Sequence, residues 1–177
     1  MIFPPDQIEK RIASTDQAWE ILSSGSAKFS GVYAIWLDWY QNISAGSKLQ
    51  KVITDAVLIC YARMALRNGS LSANPRSYHS EKHIDDLLKR LMLVSKHPDA
   101  HNIPSYGWSL LSLFMSSHDL QQAFQKNDQG LIGCNEQASF EEVTRLIKAI
   151  DDKHIVRREH KELLKLMIHG RRDICGR

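Results

Sequence analysis

Three side chains stand at a fixed interval in the middle of the chain: His83, Arg90 and His97, seven residues apart each time. On a helix seven residues make nearly two turns, so the three line one edge at steps of about 10 Å. Imidazole is the usual group for proton transfer near neutral pH and a common metal ligand. Guanidinium is suited to holding phosphate. Five of the eight histidines (His79, His83, His97, His101 and His118) fall in less than a quarter of the chain. A second grouping lies inside that cluster. His79 and His83 have i,i+4 spacing and can face one cation, and His118-Asp119 at the end of an apolar helix can complete the ligand set.

These residues need helices to position them. From Ser80 to His101 the chain reads as a helix followed by a stop, with Ser80 as N-cap, Glu81, Asp85 and Asp86 near the positive end, and Pro98 preventing continuation. Ile84, Leu87, Leu88, Leu91 and Val94 form its apolar face. Ahead of it, Ile8, Ile12, Trp19 and Leu22 mark a helix that can restart at the Ser14–Gln17 capping box. Val32, Tyr33, Trp36, Trp39, Tyr40 and Ile43 form an aromatic stripe whose spacing reads as core or dimer-interface packing. Leu49 to Met64 is apolar on a wide face and ends at Asn68-Gly69. Behind the focal helix, Tyr106 to about Gln125, with Trp108, Leu111, Phe114, Met115 and Phe124, predicts another. Asn127 to Ala138 reads as a loop, and a Ser139–Glu142 capping box opens a final helix running on to Gly170. No stretch alternates with period two long enough for a strand. The expectation is an all-α, antiparallel bundle of five to six helices, a single domain over 1–177.

Composition is that of an ordinary soluble domain: 43% hydrophobic, 24% charged, formal charge +3. So small an excess permits a nucleic-acid partner without arguing for one, although Arg171, Arg172 and Arg177 make the tail locally basic. Cys60, Cys134 and Cys175 are far apart and form no CxxC pair, which argues against a thiolate zinc site, excludes a disulfide framework as the organising principle and fits reduced thiols in the cytoplasm. The N-terminus lacks a secretory pattern, and no apolar run is long enough for a membrane span.

Ile53 to Gly69, followed by a loop and HIDDLLKRLMLVSKHPDAH, resembles the core of HEPN bundles, the nucleotide-binding domains of higher eukaryotes and prokaryotes, over roughly Val32 to Met167. Arg90 and His97, with six residues between them, match that family's arginine–histidine motif. The resemblance implies a homodimeric, metal-independent ribonuclease or RNA-binding protein of a toxin or defence setting, with no cofactor. His97 would move a proton from the RNA 2′-hydroxyl and Arg90 would hold the phosphate, with His83, His101, Arg171 and Arg172 as further RNA contacts. A different resemblance attaches to the other grouping. Tyr78 to His83 (YHSEKH) and His118-Asp119 are similar to the metal-binding signature of HD-type phosphohydrolases, which implies His79, His83, His118 and Asp119 as ligands, with Asp151 as the distal carboxylate. The aromatic stripe supports a third reading, a non-enzymatic helical module with a protein partner.

Overall fold

The structure is a computed structural model that describes residues 2–24, 26–122 and 133–170. Arg171 and Arg172 therefore lie outside the described residues. Among the described residues eight α-helices follow one another: α1 (Gln7–Arg11), α2 (Thr15–Leu22), α3 (Val32–Ile43), α4 (Gln50–Arg67), α5 (Glu81–Val94), α6 (Ser105–Ser117), α7 (Cys134–Ile150) and α8 (Arg158–His169). A 3-10 turn, Pro98–Asn102, sits between α5 and α6. There is no strand among the described residues, so the chain is an all-α bundle as expected. No helix among them is long and apolar enough to cross a membrane.

α4 is the hub. It touches α1, α2, α3, α5, α6 and α7, which is why its apolar residues spread round the whole cylinder and why Ile53, Ala56, Ile59 and Cys60 are fully covered. Burial pushes the Cys60 thiol up to about 12, so it packs as a small apolar group and is a poor nucleophile. The aromatic stripe of α3 is core: Trp36 and Tyr40 are stacked with ring centroids 5.2 Å apart, both fully buried. Their polar tips are satisfied by serines of α6. Trp36 Nε1 donates to Ser112 Oγ at 3.2 Å, and the Tyr40 hydroxyl meets Ser109 Oγ at 2.8 Å. A large aromatic can be buried here because α6 supplies a small hydroxyl opposite each polar tip.

Several start and stop signals act as read. Ser14 and Gln17 form the capping box of α2 and Asn68 is the C-cap of α4, while Ser80 stands at the N-cap position of α5 without a capping hydrogen bond from its side chain. Two departures have clear causes. α7 begins at Cys134, so Ser139 lies inside it and accepts from Gln121 N through its hydroxyl, while Glu142 turns inward to the arginines of α4. The expected single final helix is broken at Asp151. The buried Asp151 carboxylate takes the amides of Ile155 and Val156 at 2.9 and 2.8 Å, and His154 adopts φ 51° to let the chain turn.

A buried ion network ties α7 and the end of α1 to α4. Glu142, wholly covered, receives Arg63 Nη1 at 3.0 Å and Arg67 Nη2 at 3.2 Å on one oxygen and Gln121 Nε2 at 2.7 Å on the other. Arg63 also donates to the Ile12 carbonyl, and Arg67 to Asp6 and the Leu120 carbonyl. Burial pushes the Glu142 carboxyl up, while the two guanidiniums pull against that shift. Removing one partner leaves the others charged in a dry site. Glu142→Ala should cost about 3–5 kcal/mol in chemical denaturation, and a loss below about 1 kcal/mol would show that the network relaxes into solvent.

Candidate metal centre

The end of α4 sets the start of α5. Gly69 lies so close to Glu81 that a Cβ there would collide with its carboxylate, and Glu81 accepts from the Ser70 amide at 3.1 Å and from the Ser70 hydroxyl. This clasp fixes the first turn of α5, on which His83 sits. His79 lies one residue before the N-cap, on the incoming loop and not on the helix. His118 is the C-cap of α6, and Asp119 follows as the chain leaves it.

The three imidazoles converge on one oxygen of Asp119. Asp119 Oδ2 lies 3.1 Å from His79 Nδ1, 3.2 Å from His83 Nε2 and 3.1 Å from His118 Nε2. His83 is buried, and Asp119 and His118 are mostly covered. Burial pushes the Asp119 carboxyl up. The His118 and His83 imidazoles against it, with positive charge on His118 and His79, outweigh that and hold it well below the usual carboxylate range.

The ring nitrogens limit what can lie between these groups. His118 Nδ1 sits 3.1 Å from the Phe114 carbonyl, which can only accept, so Nδ1 carries a proton. In neutral imidazole the Nε2 lone pair then points at a carboxylate oxygen. Either a second proton or a shared cation must lie between two acceptors. His83 Nε2 is buried, close to Asp119 Oδ2, and makes no aligned hydrogen bond. Donor atoms of His83, His118 and Asp119 all lie within 4.8 Å of one another. Spacings near 3.2 Å are those of neighbouring ligands on a cation with bonds of about 2.0–2.2 Å. A histidine that gives its far N–H to a backbone carbonyl is also the common support for a metal-bound imidazole. Two imidazoles and a carboxylate suit Zn²⁺, Fe²⁺ or Mn²⁺. His79 approaches the same oxygen from outside this trio.

The surroundings fix Asp119 from three sides. Gln122 Nε2 donates to its Oδ1 at 2.9 Å, Arg67 holds the Leu120 carbonyl at 2.9 Å, and Gln121 is clamped by Glu142. The Tyr78 ring, largely exposed, lies 4.4 Å from the His83 ring, and Phe114 lies 4.9 Å from His118.

The remaining sequence candidates lie elsewhere. Asp151 spends both oxygens on the amides after α7, and the cluster's carboxylate is Asp119. Arg90 is exposed on α5, where Asp86 is taken by Lys82 at 3.0 Å from the turn before. His97 caps the 3-10 turn, its Nδ1 accepting from the Asp99 amide, with Asp99 Oδ2 at 3.5 Å. His101 is exposed beside a small recess lined by Ser95 and Trp108. None of these converges with a second chemical group as the four cluster residues do. Gln121, Gln122 and the Phe114 carbonyl belong to the site without any sequence signal, since glutamines after a helix read as surface.

No family model matches this chain, and no curated protein and no solved structure matches it.

Because the Asp119 carboxyl sits below its unfolded value near 3.9, its contribution to stability is present above that pH and is lost as the pH falls towards the folded value. In chelator, Asp119→Asn should therefore be less stable than wild type by about 1–3 kcal/mol at pH 6, with the gap shrinking below about pH 4. Urea melts at pH 6 and pH 3 check this. A pH-independent difference would mean the carboxylate is not held ionised by the imidazoles.

Proposed function

We propose that the protein is a metal-dependent phosphohydrolase whose divalent cation is held by His83, His118 and Asp119. The observation that carries this reading is the convergence of imidazole nitrogens on Asp119 Oδ2, with one nitrogen orphaned and another on a ring whose far N–H is given to a backbone carbonyl. The similarity of YHSEKH and His118-Asp119 to the HD-type signature points the same way.

A divalent ion supplies Lewis-acid polarisation of a phosphoryl oxygen and a water nucleophile usable near neutral pH. The chain's own parts do the rest. His83 and His118 offer neutral lone pairs, the latter oriented by Phe114. Asp119 supplies the negative charge that favours a cation over a second proton, and Gln122 keeps its other oxygen engaged. His79, partly exposed and against Asp119, is placed to exchange a proton with solvent. In the hydrolysis a water oxygen bonds to phosphorus, the ester P–O bond breaks, and the leaving oxygen takes up a proton.

Protein prepared without chelator should retain about one equivalent of zinc, iron or manganese after dialysis. His83→Ala and Asp119→Ala should retain less than about a tenth of that. Hydrolysis of p-nitrophenyl phosphate should stop in chelator, return with metal, and fall at least about 100-fold in Asp119→Ala. Sub-stoichiometric metal in every preparation would sink this reading. RNA cleavage that persists in chelator and is lost in His97→Ala would put the Arg90–His97 pair in its place.

A further inference from the structure

Asp119 gives its two carboxylate oxygens to different partners. Oδ2 faces the three imidazoles, whereas Oδ1 accepts from Gln122 Nε2 at 2.9 Å and from no other donor among the described residues. An ionised carboxylate can only accept, so the Gln122 amide must turn its NH₂ towards it. A hydrogen bond to a charged acceptor is also stronger than one between neutral groups. The chain that carries this amide is tied from two directions. The Gln122 carbonyl accepts from Arg76 Nη2 at 2.7 Å, and the Arg76 amide in turn donates to the Asn68 carbonyl at the end of α4. One residue earlier, the Gln121 amide donates to Ser139 Oγ at 3.0 Å and its side chain to Glu142 at 2.7 Å. Gln122 therefore holds Oδ1 from a fixed frame while Oδ2 stays with the imidazoles.

The number of oxygens that Asp119 gives to a cation decides what kind of centre this is. With His83, His118 and Oδ2 the chain supplies three ligand atoms, the number found in catalytic zinc sites that keep a fourth position open. If Oδ1 also turned onto the ion, four protein atoms would close the tetrahedron, as in a structural site. Carboxylates bind cations in either way, and rotation about one side-chain bond separates the two. We propose that Gln122 is a positioning residue that keeps Asp119 a one-oxygen ligand, and so keeps a coordination position free for water or a phosphoryl oxygen. This inference rests on the metal-dependent reading given above. It sets Gln122 apart from the ligands themselves, since its loss should spare metal binding and remove the open position.

The test is a Co²⁺ titration of the metal-free full chain, then an azide titration of the loaded protein, both read by visible absorption. Wild type should bind Co²⁺ and then azide, which shifts the absorption as it takes the open position. Gln122→Met, which keeps the side chain's length without a donor, should bind Co²⁺ at least as tightly as wild type and azide at least about tenfold more weakly. Gln122→Asn, one methylene too short to reach Oδ1, should behave in the same way. Unchanged azide affinity in either variant overturns the inference, as does wild type that binds Co²⁺ but no azide, and both leave the metal itself standing. Weakened Co²⁺ binding in the variants also overturns it, because Gln122 is then a strut for the whole ligand. If wild type binds no Co²⁺, the metal reading falls for this ion and the inference falls with it.

Discussion

The buried carboxylate of Glu142, shared between Arg63 and Arg67, is the constraint on which the site's geometry depends. These groups come from α4 and α7, and their remaining donors reach the Ile12 carbonyl at the end of α1, Asp6 before it, and the Leu120 carbonyl just past α6. Replacing such a network by well-packed apolar groups often stabilises a fold. Its value here is positional. It draws the chain after α6 inward, so that Leu120 is fully buried and Gln121 is clamped, and Asp119 immediately before them is directed at the start of α5. Without that anchor, the residues after the C-cap would have only the general tendency of loops to run over the surface.

Two helix ends then share the site. Asp119 lies beside the first turn of α5, where peptide dipoles favour a negative charge, and His118 closes α6, where they favour a positive one. The same arrangement suits a cation whose ligand set carries one formal negative charge. The Glu81 clasp on Ser70 and the close packing of Gly69 keep α5 from sliding relative to α4. Within α5 a second buried acid, Asp85, is satisfied by the Tyr61 and Ser30 hydroxyls at 2.8 and 2.6 Å. Burial pushes its carboxyl up, and it joins the segment before α3 to α4 and α5 without reaching the candidate metal centre.

The helices were legible wherever burial and periodicity agreed. The aromatic positions of α3, the Ser14–Gln17 box and the stop at Asn68-Gly69 stand in the structure as they read in the sequence. Errors came from polar residues that serve tertiary partners. Ser139 and Glu142 have capping-box spacing, yet they face Gln121 and two arginines from inside a helix that starts at Gly133-Cys134. Asp151 looks like a helix-borne ligand, but it ends one helix and caps the turn before the next. At the site, His79, His83, His118 and Asp119 were visible as residue types. Their meeting at one oxygen was not, because it depends on where two separate helix ends come to lie. The seven-residue series does not form one helix edge: α5 ends at Val94, so His97 lies beyond it at the head of the 3-10 turn, and of the three only His83 is buried. Arg63, Arg67 and Glu142 gave no signal, as charged residues in a helical pattern ordinarily mark its wet face.

X-ray absorption at the metal edge of the loaded protein tests the central claim most directly, because it reads the ligands themselves. The account predicts two imidazole nitrogens and one carboxylate oxygen at about 2.0–2.2 Å, with the other positions taken by light solvent atoms. It further predicts the loss of one imidazole contribution in His118→Ala. A shell of oxygens alone, a sulfur ligand, or an unchanged spectrum in His118→Ala would contradict a centre built on His83, His118 and Asp119.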